Sequence, residues 1–492
     1  MSEVKGKEGV VKRGRVPGIF SLVALLVPAL TACAGVGEGL LSDPRTMTFS
    51  PVEFSPPDPE RIVLDNGMVV YVLEDHELPL VTVTATMRTG GWLDPADKVG
   101  VAAIAGSLMR TGGGGGLSAE EVDEELEQFA GDVSISIGRE SGTASLDVLS
   151  KDLKRGVRIF AGLIRAPAFD LARVELAKLQ AIEGIRRRQD NPGSIVGREF
   201  LKILYGAEHP SARESTIDSV QRITREDLIA FHRNTIHPNG MILGVTGDFQ
   251  KEDMLAALRE AFGDWKRGTV PELNIADVPE SEAVKPAVRF IDKDTTQTHV
   301  RVGHLSIKEN DPDYAPLAIA NDILGGSSFR SRIFNDVRTK RGLAYSVGSR
   351  LITGVHDQGV WLARAETKSS STQEVIERFV AHVERMRSEL VGDAELAEAK
   401  EAYVNSFVFS FASSSAIVSR LTALEYDGLP KDFLQQLREK VVRVTKEDIL
   451  AAAKKHLHPD RLKIVAVGPG KALPAALSTF GDVKEIKLSP GG

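Results

Sequence analysis

The side chains that could do chemistry in this chain are a few histidines, one arginine–tyrosine pair and a single cysteine. His456 and His458 form an H-x-H pair, and His232/His237 and His299/His304 are each five residues apart. A hydrolytic metal centre needs three convergent protein ligands, an open position and a nearby carboxylate to act on the bound water. None of these pairs has a glutamate at that spacing. His237-Pro238 and His458-Pro459 also recur within a longer repeat, which points to a shared structural role. Arg338 and Tyr345 are seven residues apart, at the end of a helix-like pattern (Phe329, Ile333, Phe334, Val337) and the start of a strand-like run at 343–347. A turn between them can bring both side chains to one cleft. There a guanidinium grips a peptide carbonyl or carboxylate, and a phenol donates to an oxyanion. The alternative is structural, with Arg338 as a helix C-terminal cation and Tyr345 as a half-buried strand residue. Gly325-Gly326-Ser327-Ser328 makes no phosphate loop, because no Gly-Lys-Ser/Thr follows it.

The elements that position these residues come in two copies. Arg222-Ile223-Thr224-Arg225-Glu226-Asp227-Leu228, leading to Ile236-His237-Pro238-Asn239, recurs 221 residues later as Arg443-Val444-Thr445-Lys446-Glu447-Asp448-Ile449, leading to Leu457-His458-Pro459-Asp460. Each copy runs into a short apolar strand ending in glycine, at 241–247 and 462–468. A domain duplication follows, and two copies of this size argue against a short-repeat solenoid. In the first half, strand patterns at 61–64 and 68–73 flank the turn Asp65-Asn66-Gly67, with further strands at 81–87, 134–137 and 143–149. Helical patterns cover 99–109, 118–130, 151–165, 170–189, 193–205 and 224–235, and the second of these opens with Ser118 and Glu121 at capping-box spacing. Strands followed by clustered helices predict an α+β fold of sheet against helices, and the second half repeats the order from 298 onward. The Pro- and acid-rich stretch near 268–287 separates domains at 58–267 and 288–490. Gly112–Gly116 costs backbone entropy and predicts a mobile loop, read either as a flap or partner contact or as a tolerated surface insertion.

The chain has 492 residues, 61 Lys+Arg against 68 Asp+Glu, and a net charge of −7. Residues 1–32 are net +3, which leaves −10 on the remainder and gives no support to nucleic-acid binding. The lone cysteine, Cys33, excludes both a disulfide framework and a thiolate zinc cluster. A basic start, an apolar run at 19–30 too short to span a bilayer, and Thr31-Ala32-Cys33 predict a signal peptide over 1–32. Leu30-Thr31-Ala32-Cys33 resembles the bacterial lipobox, which implies lipidation of Cys33. Ala34 after the cysteine points to the outer membrane, with the protein facing the periplasm, and the Pro-rich segment at 33–57 reads as a tether.

Asp94-Pro95, Gly100-Val101-Ala102, Thr111-Gly112, Leu204-Tyr205-Gly206 and His209-Pro210, with the run from Leu324-Gly325-Gly326 to Arg341-Gly342-Leu343-Ala344-Tyr345-Ser346-Val347, resemble the pitrilysin/insulinase family of zinc peptidases. The resemblance spans both halves. It implies two homologous domains, each a mostly antiparallel sheet packed against helices, facing each other as a clam-shell. Active members carry H-x-x-E-H on the helix at 100–110: two imidazoles one turn apart bind zinc, and the glutamate serves as base. Here those positions hold Ala103, Gly106 and Ser107, so neither ligand nor base is present. Glu183 stands at the third-ligand position, and one carboxylate alone does not hold a catalytic zinc. The apolar stripe of Val101, Ile104, Ala105, Leu108 and Met109 is intact, so the helix is expected to survive its metal site. The resemblance also implies that Arg338 and Tyr345 form a substrate-binding element.

The resulting expectation is a non-catalytic, lipid-anchored, substrate-binding subunit that carries no cofactor of its own. It would pair with a homologous chain that holds the zinc, and together they would cleave peptides at the cell envelope. Two alternatives stay open: a structural or peptide-binding lipoprotein with no peptidase partner, and a zinc endopeptidase using unrecognised ligands.

Overall fold

The computed structural model describes residues 57–489. The expected signal peptide, Cys33 and the expected tether up to residue 56 lie outside the described residues. Two six-stranded sheets dominate. The first contains β1 (Glu60–Val63), β2 (Val69–Glu74), β3 (Leu80–Met87), β4 (Asp132–Ile137), β5 (Gly142–Leu149) and β6 (Met241–Gly247), in the order β1-β2-β6-β3-β5-β4. The second contains β7 (Ala287–Asp292), β8 (Thr298–Ser306), β9 (Ala344–Ile352), β10 (Gly359–Thr367), β11 (Lys463–Gly468) and β12 (Val483–Glu485), in the order β12-β7-β11-β8-β10-β9. Most pairings are antiparallel. The strand ending each repeat, β6 or β11, runs parallel to β2 or β7 and antiparallel to β3 or β8. Both are central strands covered on two faces, which is why MILGVTG and KIVAVG are continuously apolar instead of alternating.

The first-half helices are α1 (Val101–Thr111), α2 (Ala119–Gln128), α3 (Leu153–Arg165), α4 (Leu171–Arg187), α5 (Pro192–Tyr205), α6 (Ile217–Arg222), α7 (Arg225–Thr235) and α8 (Lys251–Phe262). After a single helical turn at Glu280–Ala283, the second half supplies α9 (Tyr314–Asn321), α10 (Thr372–Ser388), α11 (Asp393–Phe409), α12 (Ser414–Asp427), α13 (Phe433–Arg443), α14 (Lys446–His456) and α15 (Leu473–Leu477). The repeated Thr-x-Glu-Asp motif is a helix start. The Asp227 carboxylate accepts from the Thr224 amide at 2.8 Å, and Asp448 does the same for Thr445 at 2.8 Å. These capping boxes begin α7 and α14 at equivalent places. No single described helix is long and apolar enough to cross a membrane.

The two halves face each other across a filled interface made by exchanged helices. α5 leaves its own sheet and lays Ile195, Val196, Phe200 and Leu204 on Ile291, Val360, Leu362, Val465 and Val467 of the second sheet. Reciprocally, α12 sets Val418, Leu421, Leu424 and Tyr426 on Tyr71 and Ile242 of the first sheet. Gly244 on β6 permits that approach, because a Cβ there would meet Val418 at 2.5 Å. Burying each large apolar side chain contributes about 1.5–3 kcal/mol, so the exchange binds the halves strongly. Polar contacts register the seam: the Tyr71 hydroxyl donates to Glu425 at 2.9 Å, Arg61 pairs with Glu425 at 2.8 Å, and the Tyr426 hydroxyl donates to the Glu140 carbonyl at 2.6 Å.

Candidate functional site

α1 is intact and well anchored. The buried Asp94 carboxylate accepts from the amides of Gly100 at 2.7 Å and Ala102 at 2.8 Å, satisfying helix-start donors that no local cap reaches. Val101, Ile104, Ala105, Leu108 and Met109 are buried, while Ala103 and Ser107 lie one turn apart on the exposed face. That face is therefore presented as a metal-binding helix would present it, but with a methyl and a hydroxymethyl group. Gly106 is buried against β4, and a Cβ there would stand 2.4 Å from the Ile137 amide nitrogen and 2.9 Å from its Cγ1. No side chain fits without moving the strand, so the base position has lost its space as well as its carboxylate. Glu183 is exposed on α4 and engaged with Arg186 one turn on. These residues do not fit a zinc ion: neither ligand on α1 has a suitable donor, and the remaining carboxylate has a cation beside it.

Arg338 and Tyr345 do come together. Arg338 sits in a π-helical segment, Phe334–Lys340, and its guanidinium carbon lies 4.6 Å from the Tyr345 ring centroid. Phe334 at 4.8 Å and Phe329 at 5.8 Å complete an aromatic cage. Among the described residues no carboxylate pairs with this guanidinium, which lies over three aromatic rings with its N–H groups unclaimed by an acid. The cage opens to solvent, since Tyr345 is 77% exposed and Phe329 74%. Phe329 is therefore not part of the buried helix stripe that its spacing predicts. It precedes the helix, on a turn, and stacks edge-on against Phe334 at 4.9 Å. Its place directly after Gly-Gly-Ser-Ser, before the apolar pattern, was the one available signal.

The π-segment is held from below. Asp336 accepts from Arg341 at 2.8 Å and from His382 at 2.9 Å, and these two partners keep its carboxyl below the usual range although burial opposes them. Arg332 makes a bidentate pair with Glu395 at 2.8 and 2.7 Å, tying the segment to α11. A second π-segment, Asp322–Gly326, contains Gly325, where a Cβ would meet the Ser349 amide at 2.7 Å. π-Segments concentrate at functional sites, and here they shape the backbone around the cage.

Of the paired histidines, His232, His304 and His456 are otherwise occupied. His232 donates to the Ile164 carbonyl at 2.7 Å, and His304 accepts from the His458 amide at 3.1 Å while burial pushes its pKa down to about 4. His456 shares one oxygen of Asp313 (2.8 Å) with the Lys455 ammonium (2.6 Å). Asp311, Asp313 and His456 are near enough to hold a metal, but Lys455 already supplies the cation there. Tyr205 and His209 belong to the seam, donating to the carbonyls of Gln358 at 2.5 Å and Ala276 at 2.9 Å. The glycine loop after α1 is strapped down, with Gly115 donating to the Ala166 carbonyl at 3.0 Å and Ala168 to that of Gly113 at 2.9 Å. Gly115 packs directly on Gly162, where a Cβ would meet backbone at 2.8 Å, so these glycines serve close approach instead of a free flap.

Residues 69–213 match the family model described as insulinase (peptidase family M16), and residues 222–403 match the one described as peptidase M16 inactive domain. An uncharacterized zinc protease of Mycobacterium leprae is 27% identical over 372 residues, 73% of this chain and 81% of that protein. A non-peptidase homolog of Helicobacter pylori is 24% identical over 408 residues, 82% of this chain and 92% of that protein. Among solved structures, a peptidase M16 inactive domain from Pseudomonas fluorescens superposes with a TM-score of 0.75 at 26% identity, covering 84% of this chain and 98% of that one.

Proposed function

The chain belongs to the insulinase family as a member without catalytic metal ligands, and from that premise we propose that it is the substrate-binding subunit of a two-chain zinc peptidase. One observation carries the reading: the metal face of α1 is blank, with Gly106 closed against Ile137, while Arg338 and Tyr345 stand assembled in an open cage. In this reading the metal belongs to a homologous partner, and this chain holds the peptide.

The residues suit that work. β4 ends the first sheet, and the outward edge of its backbone pairs with no described strand, so an extended peptide can add to it beside Ala103 and Ser107. The Arg338 guanidinium, stacked among rings, donates in-plane N–H groups to a peptide carbonyl or carboxylate, and the Tyr345 hydroxyl donates alongside. The surrounding rings restrict the guanidinium before substrate arrives, which reduces the ordering cost of binding. Lipidation of Cys33 would hold the pair at the envelope, at the outer membrane facing the periplasm, and the tether gives reach.

The test takes the mature chain with a homologue that retains H-x-x-E-H. The expected result is no zinc and no peptide cleavage by this chain alone, and cleavage with the partner that falls on Arg338→Ala or Tyr345→Phe. One zinc per chain and chelator-sensitive cleavage by this chain alone would overturn the proposal.

A further inference from the structure

The second sheet carries a cationic strip that neither the cage nor the blank helix accounts for. Arg301 on β8 and Arg364 on β10 are direct register partners, and Arg364 in turn pairs with Gly348 on β9. Arg350 lies two residues along β9 from Gly348, on the same face, opposite Leu362. Among the described residues none of the three guanidiniums has a carboxylate partner or a side-chain hydrogen bond. Like charges directly opposite on neighbouring strands are destabilising, so this arrangement works against the fold. Glu366, the acid on the same face of β10, leans instead on His299 at 3.8 Å.

The strip is also specifically accommodated. α5 crosses this face, and Gly197 leaves the slot that the Arg301 guanidinium occupies, since a Cβ there would approach its nitrogen to 2.9 Å. Burial, with Arg364 adding, disfavours the charged form of Arg301, so an anion is what the strip lacks. The duplicated first sheet is an internal control. Its register-equivalent positions are Thr84, Ser145 and Ser136, whose hydroxyls bond to the Gly244 carbonyl, Ser134 and Thr143. The same architecture is therefore built without arginine, and the cationic strip is particular to the half that bears the cage.

We infer that the β8-β10-β9 face carrying Arg301, Arg364 and Arg350 binds acidic segments of peptides, which makes anionic polypeptides the substrate class of this subunit. The inference rests on the peptide-binding reading above and adds the chemistry of what is bound. An extended acidic segment lying across the strands would bring carboxylates to guanidiniums spaced by the sheet, at about 4.8 Å between strands, and would relieve the Arg301–Arg364 repulsion. β9 is the edge strand of its sheet, where an extended backbone can pair, and Arg301 is half-buried against α5, within reach of a polypeptide side chain and not of a flat membrane surface.

Binding by the full mature chain is measured by fluorescence anisotropy. The probes are a fluorescein-labelled dodecapeptide alternating Glu with Thr, its Gln-for-Glu counterpart, and phosphatidylglycerol vesicles. The expected result is acidic-peptide binding about tenfold tighter than the Gln peptide, weakening with salt. Arg301→Gln with Arg364→Gln should abolish the preference, bringing the two peptides to equal affinity. Arg350→Gln, on the exposed edge strand, is the variant safe for folding and should give part of the loss. A melting temperature held or raised in Arg364→Gln would separate recognition from a structural role. Equal affinity for both peptides overturns the inference and leaves the peptide-binding reading standing. Binding of neither peptide, with or without the homologue, overturns both. Capture of the vesicles in place of the acidic peptide overturns the assignment to peptides.

Discussion

Gly106 lies so close to Ile137 that a Cβ on the glycine would stand 2.4 Å from the strand's amide nitrogen. α1 thus lies directly on β4 through the position of the missing base. Grafting the lost side chains therefore should not recover a peptidase. Gly106→Ala should cost about 1–3 kcal/mol by overpacking, whereas Ala103→His and Ser107→His, on the exposed face, should change stability by less than about 0.5 kcal/mol. Urea unfolding of the single variants, with zinc content of the triple variant Ala103→His/Gly106→Glu/Ser107→His, checks this. A triple variant as stable as the parent that binds one zinc would refute it.

The cage around Arg338 demands a planar cation. Arg338→Lys should lose most of the partner-dependent cleavage, about tenfold or more, because an ammonium cannot stack and donate in a plane at once. Phe329→Ala should weaken peptide binding while leaving the melting temperature unchanged, since the ring is mostly exposed, and Phe329→Tyr should rescue it. Full activity in Arg338→Lys would show that charge alone suffices.

The exchange of α5 and α12 should make the two halves melt together. Calorimetry of the chain from Ala34 onward should give one transition, and Phe200→Ala, which opens a cavity under α5, should lower stability by about 3–5 kcal/mol and shift that whole transition. Two separate transitions, only one of them shifted, would mean that the halves are energetically independent.

Glu425 links Arg61 and Tyr71 across the seam, and the Arg61 hydrogen bond is the chief reason its carboxyl lies below the usual range. Its pKa is lowered on folding, so its contribution is fully present above the ordinary glutamate range near ~4.3 and is lost as the pH falls through the lower folded value. Glu425→Gln should thus cost about 0.5–1 kcal/mol at neutral pH and progressively less below pH ~4. Urea unfolding at several pH values measures the difference, and a gap independent of pH would contradict the assignment.

Local signals fix much of this molecule because they act over a few residues. Thr224 and Thr445 with their acids three positions on mark where α7 and α14 begin, and the continuous apolar runs at 241–247 and 463–468 mark strands covered on both faces. The α+β duplication, the family and the blank at Ala103, Gly106 and Ser107 were all legible in this way. So was the proximity of Arg338 and Tyr345, because a single turn joins them. Tertiary structure alone decided what depends on distant surfaces meeting. Neither the exchange of α5 and α12 nor the seating of Gly106 on Ile137 leaves a periodic trace, since the partner lies in another element. Phe329 reads as one more apolar residue until the turn carries it out of the core. Arg301 and Arg364 are 63 positions apart and become neighbours only through strand register, a long-range hydrogen-bonding relation that no local pattern encodes.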